Sequence, residues 1–140
     1  MISKYFKIHE LVPRNLYEIA HEDLLWNMVP DELIISIDKL KEKFPDGSMT
    51  INNYKWNGDR EWSGLRTKDS SYYSRTSQHS IMNAFDAVFS KYNPDIVRQY
   101  ILDNQDEFPY IGGIENFNGM SWVHADIRPR RNGKVIVFGK

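Results

Sequence analysis

The chain has 140 residues and no cysteine, with 18 Lys+Arg against 19 Asp+Glu for a net charge of −1. That length suits one domain whose core needs no covalent staple, and the missing cysteines exclude disulfides, thiolate metal sites and cysteine nucleophiles. Near-zero charge supplies no global field for nucleic acid, and no apolar run approaches the ~20 residues that cross a bilayer.

Taken from the start, Met1-Ile2-Ser3-Lys4-Tyr5-Phe6-Lys7 lacks the unbroken apolar segment of a signal peptide, so an uncleaved protein is expected. Residues 14–28 place Leu16, Ile19, Ala20, Leu24 and Trp26 near helical spacing and predict one helix. Pro30-Asp31-Glu32 opens the next, with proline in a first turn and acids at its positive end. Its apolar stripe is Leu33, Ile34, Ile37, Leu40 and Phe44, and Pro45-Asp46-Gly47 stops it.

Residues 49–54 predict a strand, and the polar, aromatic stretch after it runs to about Gly64. Residues 65–80, rich in Ser, Thr, Lys, Arg and Tyr, predict a long surface loop, of the kind that is usually functional or mobile. Asn93-Pro94-Asp95 is a helix start, with Ile96, Val97, Tyr100 and Ile101 along one face and an end near Phe108-Pro109.

Trp122 to Arg128 alternates cleanly: Val123, Ala125 and Ile127 point one way, and Trp122, His124, Asp126 and Arg128 the other. Asn132-Gly133 predicts a type I′ turn, with Val135 to Phe138 returning as the second strand of a hairpin. The expected class is α+β, a small antiparallel sheet packed against N-terminal and central helices.

Two pairs of side chains invite chemistry. His124 and Asp126 share a strand face, and a solvated face explains them as well as a cleft does. His79 and Asp86 lie seven residues apart, about 10.5 Å on a helix, so they meet at one ion only where the chain turns between them. Spacing alone establishes no site. Trp56, Trp62, Tyr72 and Tyr73 could wall a groove, or simply pack.

Ser77-Gln78-His79, Ala84-Phe85-Asp86 and Trp122-Val123-His124-Ala125-Asp126-Ile127-Arg128 together resemble the SxHxxGxAxD … (W/F)VHxDxR pattern. That pattern marks the D-alanyl-D-alanine-type zinc peptidases, which share a fold with Hedgehog signalling domains; the short phage and bacterial members are nearest. The resemblance implies one zinc peptidase-like domain over residues 1–140, with helices in about 14–44 and the metal-site region in about 49–138. It implies Zn2+ held by His79, Asp86 and His124, and Arg66 as the basic residue gripping substrate. Two imidazoles and a carboxylate leave a fourth position open, which is the pattern of a catalytic zinc.

The sequence departs from the pattern twice. Met82 stands where the family has a glycine, a residue that signals a special backbone angle or a close approach. Ser121 and Trp122 stand where an acid or histidine often serves as base, so the base is assigned to Glu115, with Asp126 orienting His124. The implied function is hydrolysis of a peptidoglycan peptide by an endolysin or virion-associated lysin. Its place would be the host cytoplasm before lysis, or the virion beside tail proteins. A non-catalytic phage protein keeping the fold is the alternative. A nucleic-acid binder would rest only on Arg128, Arg130, Arg131 and Lys134, and neither nucleic acid nor membrane is an expected partner.

Overall fold

A computed structural model describes residues 1–46 and 48–139. Among these, four α-helices run Arg14–Tyr17 (α1), Glu22–Met28 (α2), Asp31–Lys43 (α3) and Pro94–Asp103 (α4). Five strands run Met49–Thr50 (β1), Ala84–Phe89 (β2), Gly113–Glu115 (β3), Val123–Asp126 (β4) and Ile136–Phe138 (β5). They form one sheet in the order β1-β2-β4-β3-β5. The class is α+β, as expected.

The helix α3 follows its sequence signals closely. Asp31 and Glu32 sit in its first turn and Lys41 and Lys43 in its last, complementing the helix dipole at both ends. Leu33, Ile34, Ile37, Leu40 and Phe44 are all buried in the core. The chain turns at Pro45 and Asp46; Gly47, the rest of that stop signal, lies outside the described residues. At α4 the Asn93 side chain accepts the Asp95 backbone N–H at 2.8 Å, the expected cap. Val97 and Ile101 are buried beneath it, but Ile96 is 60% exposed and leaves the expected face. The helix ends at Asp103, and a short 3-10 turn over Gln105–Glu107 leads to buried Phe108.

Three expectations are corrected. Residues 14–28 are two short helices, with Ile19 and Leu24 exposed at 80% and 61%. A continuous helix would carry the stripe from Leu16 and Ala20 on to Asp23 and Asn27, which are polar. Breaking after Tyr17 turns Leu25 and Trp26 into the core instead. The strand expected over 49–54 stops at Thr50. Beyond it, buried Asn52 bonds three segments: its N–H reaches the Glu10 carbonyl, its amide donates to the Val12 carbonyl, and its oxygen accepts the Ser63 N–H.

The third correction is the sheet, which is mixed rather than antiparallel. Asn132 and Gly133 do form the turn, both at positive φ (52° and 73°), but it closes only the single bridge Arg131↔Lys134. No hairpin with β4 follows, because β4 is already paired on both edges, with β2 and with β3. The returning strand β5 therefore lies parallel beside β3.

The register across the central strands sets which of their residues share a face. Directly opposed residues share a sheet face. Phe85 faces Ala125, Ala87 faces Val123 and Ile114 faces Ala125, giving an apolar face buried to 1% or less. On the other face Asp86, His124, Glu115 and Phe138 form one row across β2, β4, β3 and β5. Ala84, Asp126 and Gly113 form the adjacent row.

Candidate metal centre

The chain does turn between His79 and Asp86, the condition for the two to meet. Ser77 caps a 3-10 helix over Gln78–Ile81, its hydroxyl accepting the His79 N–H at 3.2 Å. The helix ends at Met82, which has φ 60° and ψ 32°. The left-handed angle that a glycine at this position would signal is therefore present, on a methionine. Such an angle costs a non-glycine residue about 1–3 kcal/mol. Burial of the Met82 side chain to 2% exposure contributes about 1.5–3 kcal/mol and offsets it. After that reversal β2 brings Asp86 back beside His79.

His79, Asp86 and His124 converge, all three buried, with one ligand atom from each within 4.8 Å of the others. His79 Nε2 lies 3.2 Å from Asp86 Oδ1 and 3.2 Å from His124 Nδ1, and His124 Nδ1 lies 2.9 Å from Asp86 Oδ1. The group could hold a metal ion. A solvated face, the bland alternative for His124 and Asp126, is not what the chain builds, since both are buried.

The outer nitrogens decide which atoms face inward. His79 Nδ1 sits 2.8 Å from the Gly64 carbonyl, which can only accept, so Nδ1 carries the proton and Nε2 offers a lone pair. His124 Nε2 donates to Asp126 Oδ2 at 2.8 Å, which leaves Nδ1 as the inner lone pair. Three acceptors thus meet at one point with no donor among them. Such an arrangement calls for a cation or a proton at its centre.

A strap of chain holds this geometry from the loop side. Ser63 carbonyl accepts the Asp86 N–H at 2.7 Å, Gly64 carbonyl accepts from His79, and Arg66 N–H donates to the His79 carbonyl at 3.1 Å. Arg66 Nη2 donates to Asp86 Oδ2 at 2.9 Å, and its Nε to the Trp62 carbonyl at 2.8 Å. The guanidinium therefore lies in the cleft wall, braced on Asp86. With Oδ2 held by arginine, Asp86 turns only Oδ1 toward the centre.

The charges follow this packing. Burial favours a neutral Asp86, but with a proton at the centre the neighbouring His124 and His79 imidazoles outweigh it and hold the carboxyl well below its usual range. Asp126 is likewise pushed up by burial and brought down further by His124 and Arg128. Burial lowers His124, yet its bonds to Asp126 and Asp86 raise it to about 9. In metal-free protein a proton on His124 thus stands where an ion would sit, and metal uptake would release it.

The sign of the pH dependence follows. His124 titrates near 6.5 when unfolded, so its contribution is complete below that pH and is lost as pH rises through 9. The two aspartates contribute above 3.8 and lose that contribution in acid. In the presence of a chelator, the melting temperature should fall between pH 6.5 and 9. A flat or rising profile over that window would contradict the assignment.

The centre opens into a cavity of about 480 Å³, whose lining includes Arg66, Tyr72, Glu115, Trp122, Arg128 and Phe138. Glu115 stands opposite His124 in the register, and no hydrogen bond or ion pair engages its carboxylate among the described residues. Of the four aromatics considered for a groove, Tyr72 lines this cavity and Trp62 the adjoining one. Trp56 packs against His9 at 5.1 Å. A larger cavity, about 890 Å³, lies between the start of α4 and residues 116–121 and holds none of the clustered imidazoles. Of the basic residues considered for nucleic acid, Arg128 is bound to Asp126 and Arg130 to the carbonyls of Ile111, Gln105 and Phe108.

Sequence reasoning missed three contributors. The Gly64 carbonyl, the pairing of Arg66 with Asp86, and the seat of Arg128 on Asp126 all depend on tertiary approach. Only the short spacing from Asp126 to Arg128 hinted at the last. No helix among the described residues is long and apolar enough to cross a membrane. Compared with known proteins, the sequence matches no family model, and no curated protein or solved structure matches it either.

Proposed function

We propose that this chain is a zinc-dependent peptidase of peptidoglycan, with the D-Ala-D-Ala peptidase and Hedgehog type of fold, acting as a phage lysin. The observation that carries the reading is the convergence of His79 Nε2, Asp86 Oδ1 and His124 Nδ1 with no donor between them. Zinc bonds of 2.0–2.1 Å in a tetrahedron set ligand atoms about 3.3 Å apart, and the observed edges of 3.2, 3.2 and 2.9 Å are close to that face. Imidazole and carboxylate are zinc donors, and three of them leave a fourth position toward the cavity.

When bound, zinc supplies Lewis acidity toward a carbonyl and a water whose pKa is lowered to about 7. The chain's own residues supply the rest. Glu115, on the same face as His124, accepts a proton from the attacking water as its oxygen bonds to the carbonyl carbon. It then delivers that proton to the amide nitrogen as the C–N bond breaks. Asp126 holds the His124 ring in the tautomer that faces inward. Arg66 keeps Asp86 to one oxygen, and its planar fork in the cleft wall suits a carboxylate or carbonyl of the wall peptide.

The test is release of new amino groups from purified peptidoglycan by zinc-loaded protein, by the same protein after chelation, and after zinc is restored. Release that stops with the chelator and returns with zinc is expected. No release from several wall chemotypes by fully loaded protein would reject the peptidase and leave the alternative, a phage protein that keeps the fold without cutting.

A further inference from the structure

His124 is gripped from behind by a chain of contacts that ends at β5. Asp126 is 0% exposed, and both of its oxygens are fully engaged. Oδ1 accepts Arg128 Nε at 2.6 Å and the Arg128 backbone N–H at 3.3 Å. Oδ2 accepts Arg128 Nη2 at 2.7 Å together with His124 Nε2 at 2.8 Å. The fork is bidentate, so the carboxylate cannot rotate about its Cβ–Cγ bond without breaking two charge-assisted bonds.

The arginine is itself seated. Its guanidinium lies 4.2 Å from the centroid of Phe138, whose ring also meets His124 edge-on at 5.7 Å. Underneath, Gly113 leaves the space: a Cβ there would come within 2.5 Å of both Arg128 Nε and Asp126 Oδ1. Three strands thus contribute to holding one imidazole.

From this arrangement we infer that Arg128 is a positioning residue, which sets the tautomer and aim of His124 by locking the Asp126 carboxylate. The inference rests on the metal centre proposed above. A point charge would not do the same, because a lysine ammonium can satisfy one oxygen while leaving the carboxylate free to turn. The fork is what ties the oxygen facing His124 to the oxygen facing the backbone.

The experiment compares wild type with Arg128→Lys, Arg128→Ala and Gly113→Ala. Zinc affinity is read by competition with a chelating dye, the His124 Nε2–H resonance by long-range proton–nitrogen spectra of zinc-loaded protein, and metal-free melting temperature in parallel. Losing an outer partner of a metal-bound histidine typically weakens affinity 10–100-fold. Arg128→Lys should therefore bind zinc at least tenfold more weakly and lose the sharp Nε2–H signal, with metal-free melting within a few degrees of wild type. Gly113→Ala should shift both readouts the same way although it removes no polar group. Affinity within twofold of wild type and an intact Nε2–H signal in either Arg128→Lys or Arg128→Ala would overturn the inference. Zinc uptake without wall hydrolysis would reject only the peptidase, whereas no zinc uptake by wild type would overturn both.

Discussion

Alanine at Asp86, His79 or His124 is expected to abolish stoichiometric metal. Each supplies one of three converging atoms, so any single loss leaves two donors and an open face. Affinity should drop by more than the 10–100-fold typical of an outer partner, since a bond to the ion itself is gone. Asp86→Ala should be the most severe, because it also strands Arg66, whose Nη2 rests on Asp86 Oδ2. Elemental analysis of dialysed protein should show near one zinc per chain for wild type and a trace for each variant. Metal binding contributes folding free energy, so added zinc should raise the melting temperature of wild type alone. Unchanged zinc content in both His79→Ala and His124→Ala would refute the centre.

The second large effect separates the two acids beside the centre. Glu115→Gln should keep zinc at wild-type level while lowering turnover by about 10²–10⁴, the usual contribution of a general base. Asp126→Asn should weaken zinc affinity and turnover together. The reason lies in the hydrogen-bond inventory: both Asp126 oxygens accept N–H groups, from Arg128 on one side and from Arg128 and His124 on the other. An amide must place its own NH₂ at one of those positions, donor against donor. Parallel measurement of zinc content and hydrolysis decides between the roles. The reverse pattern would exchange them, and full activity in both would require another proton carrier.

What was legible in the sequence was whatever depends on neighbours along the chain. The stripe of α3, the Asn93 cap and the alternation of β4 are local patterns, and each appears where its period or cap chemistry puts it. The grouping of His79, Asp86 and His124 was legible only through resemblance to a motif, since the six residues between His79 and Asp86 fit several geometries. Its closure depends on the reversal at Met82, a left-handed angle that propensity assigns to glycine. The partner of β5 was not legible at all. Asn132-Gly133 specifies a turn, but which edge the returning strand meets depends on β2 and β3 already flanking β4. Arg66 shows the same limit: its loop reads as surface, yet three carbonyl and amide bonds of residues 63–66 lace it to His79 and Asp86.

The separation of the ligands along the chain has a kinetic consequence. His124 and Asp86 stand 38 residues apart, and His79 and His124 stand 45 apart. Closing loops of that length costs entropy before any coordination bond can return it. Only His79 and Asp86, seven residues apart, are near each other in the unfolded chain, and they complete no site until His124 arrives. The β2–β4 ladder must zip first, and the ion arrives as the last component. Zinc should accordingly slow unfolding far more than it accelerates folding, acting as a latch on the finished sheet.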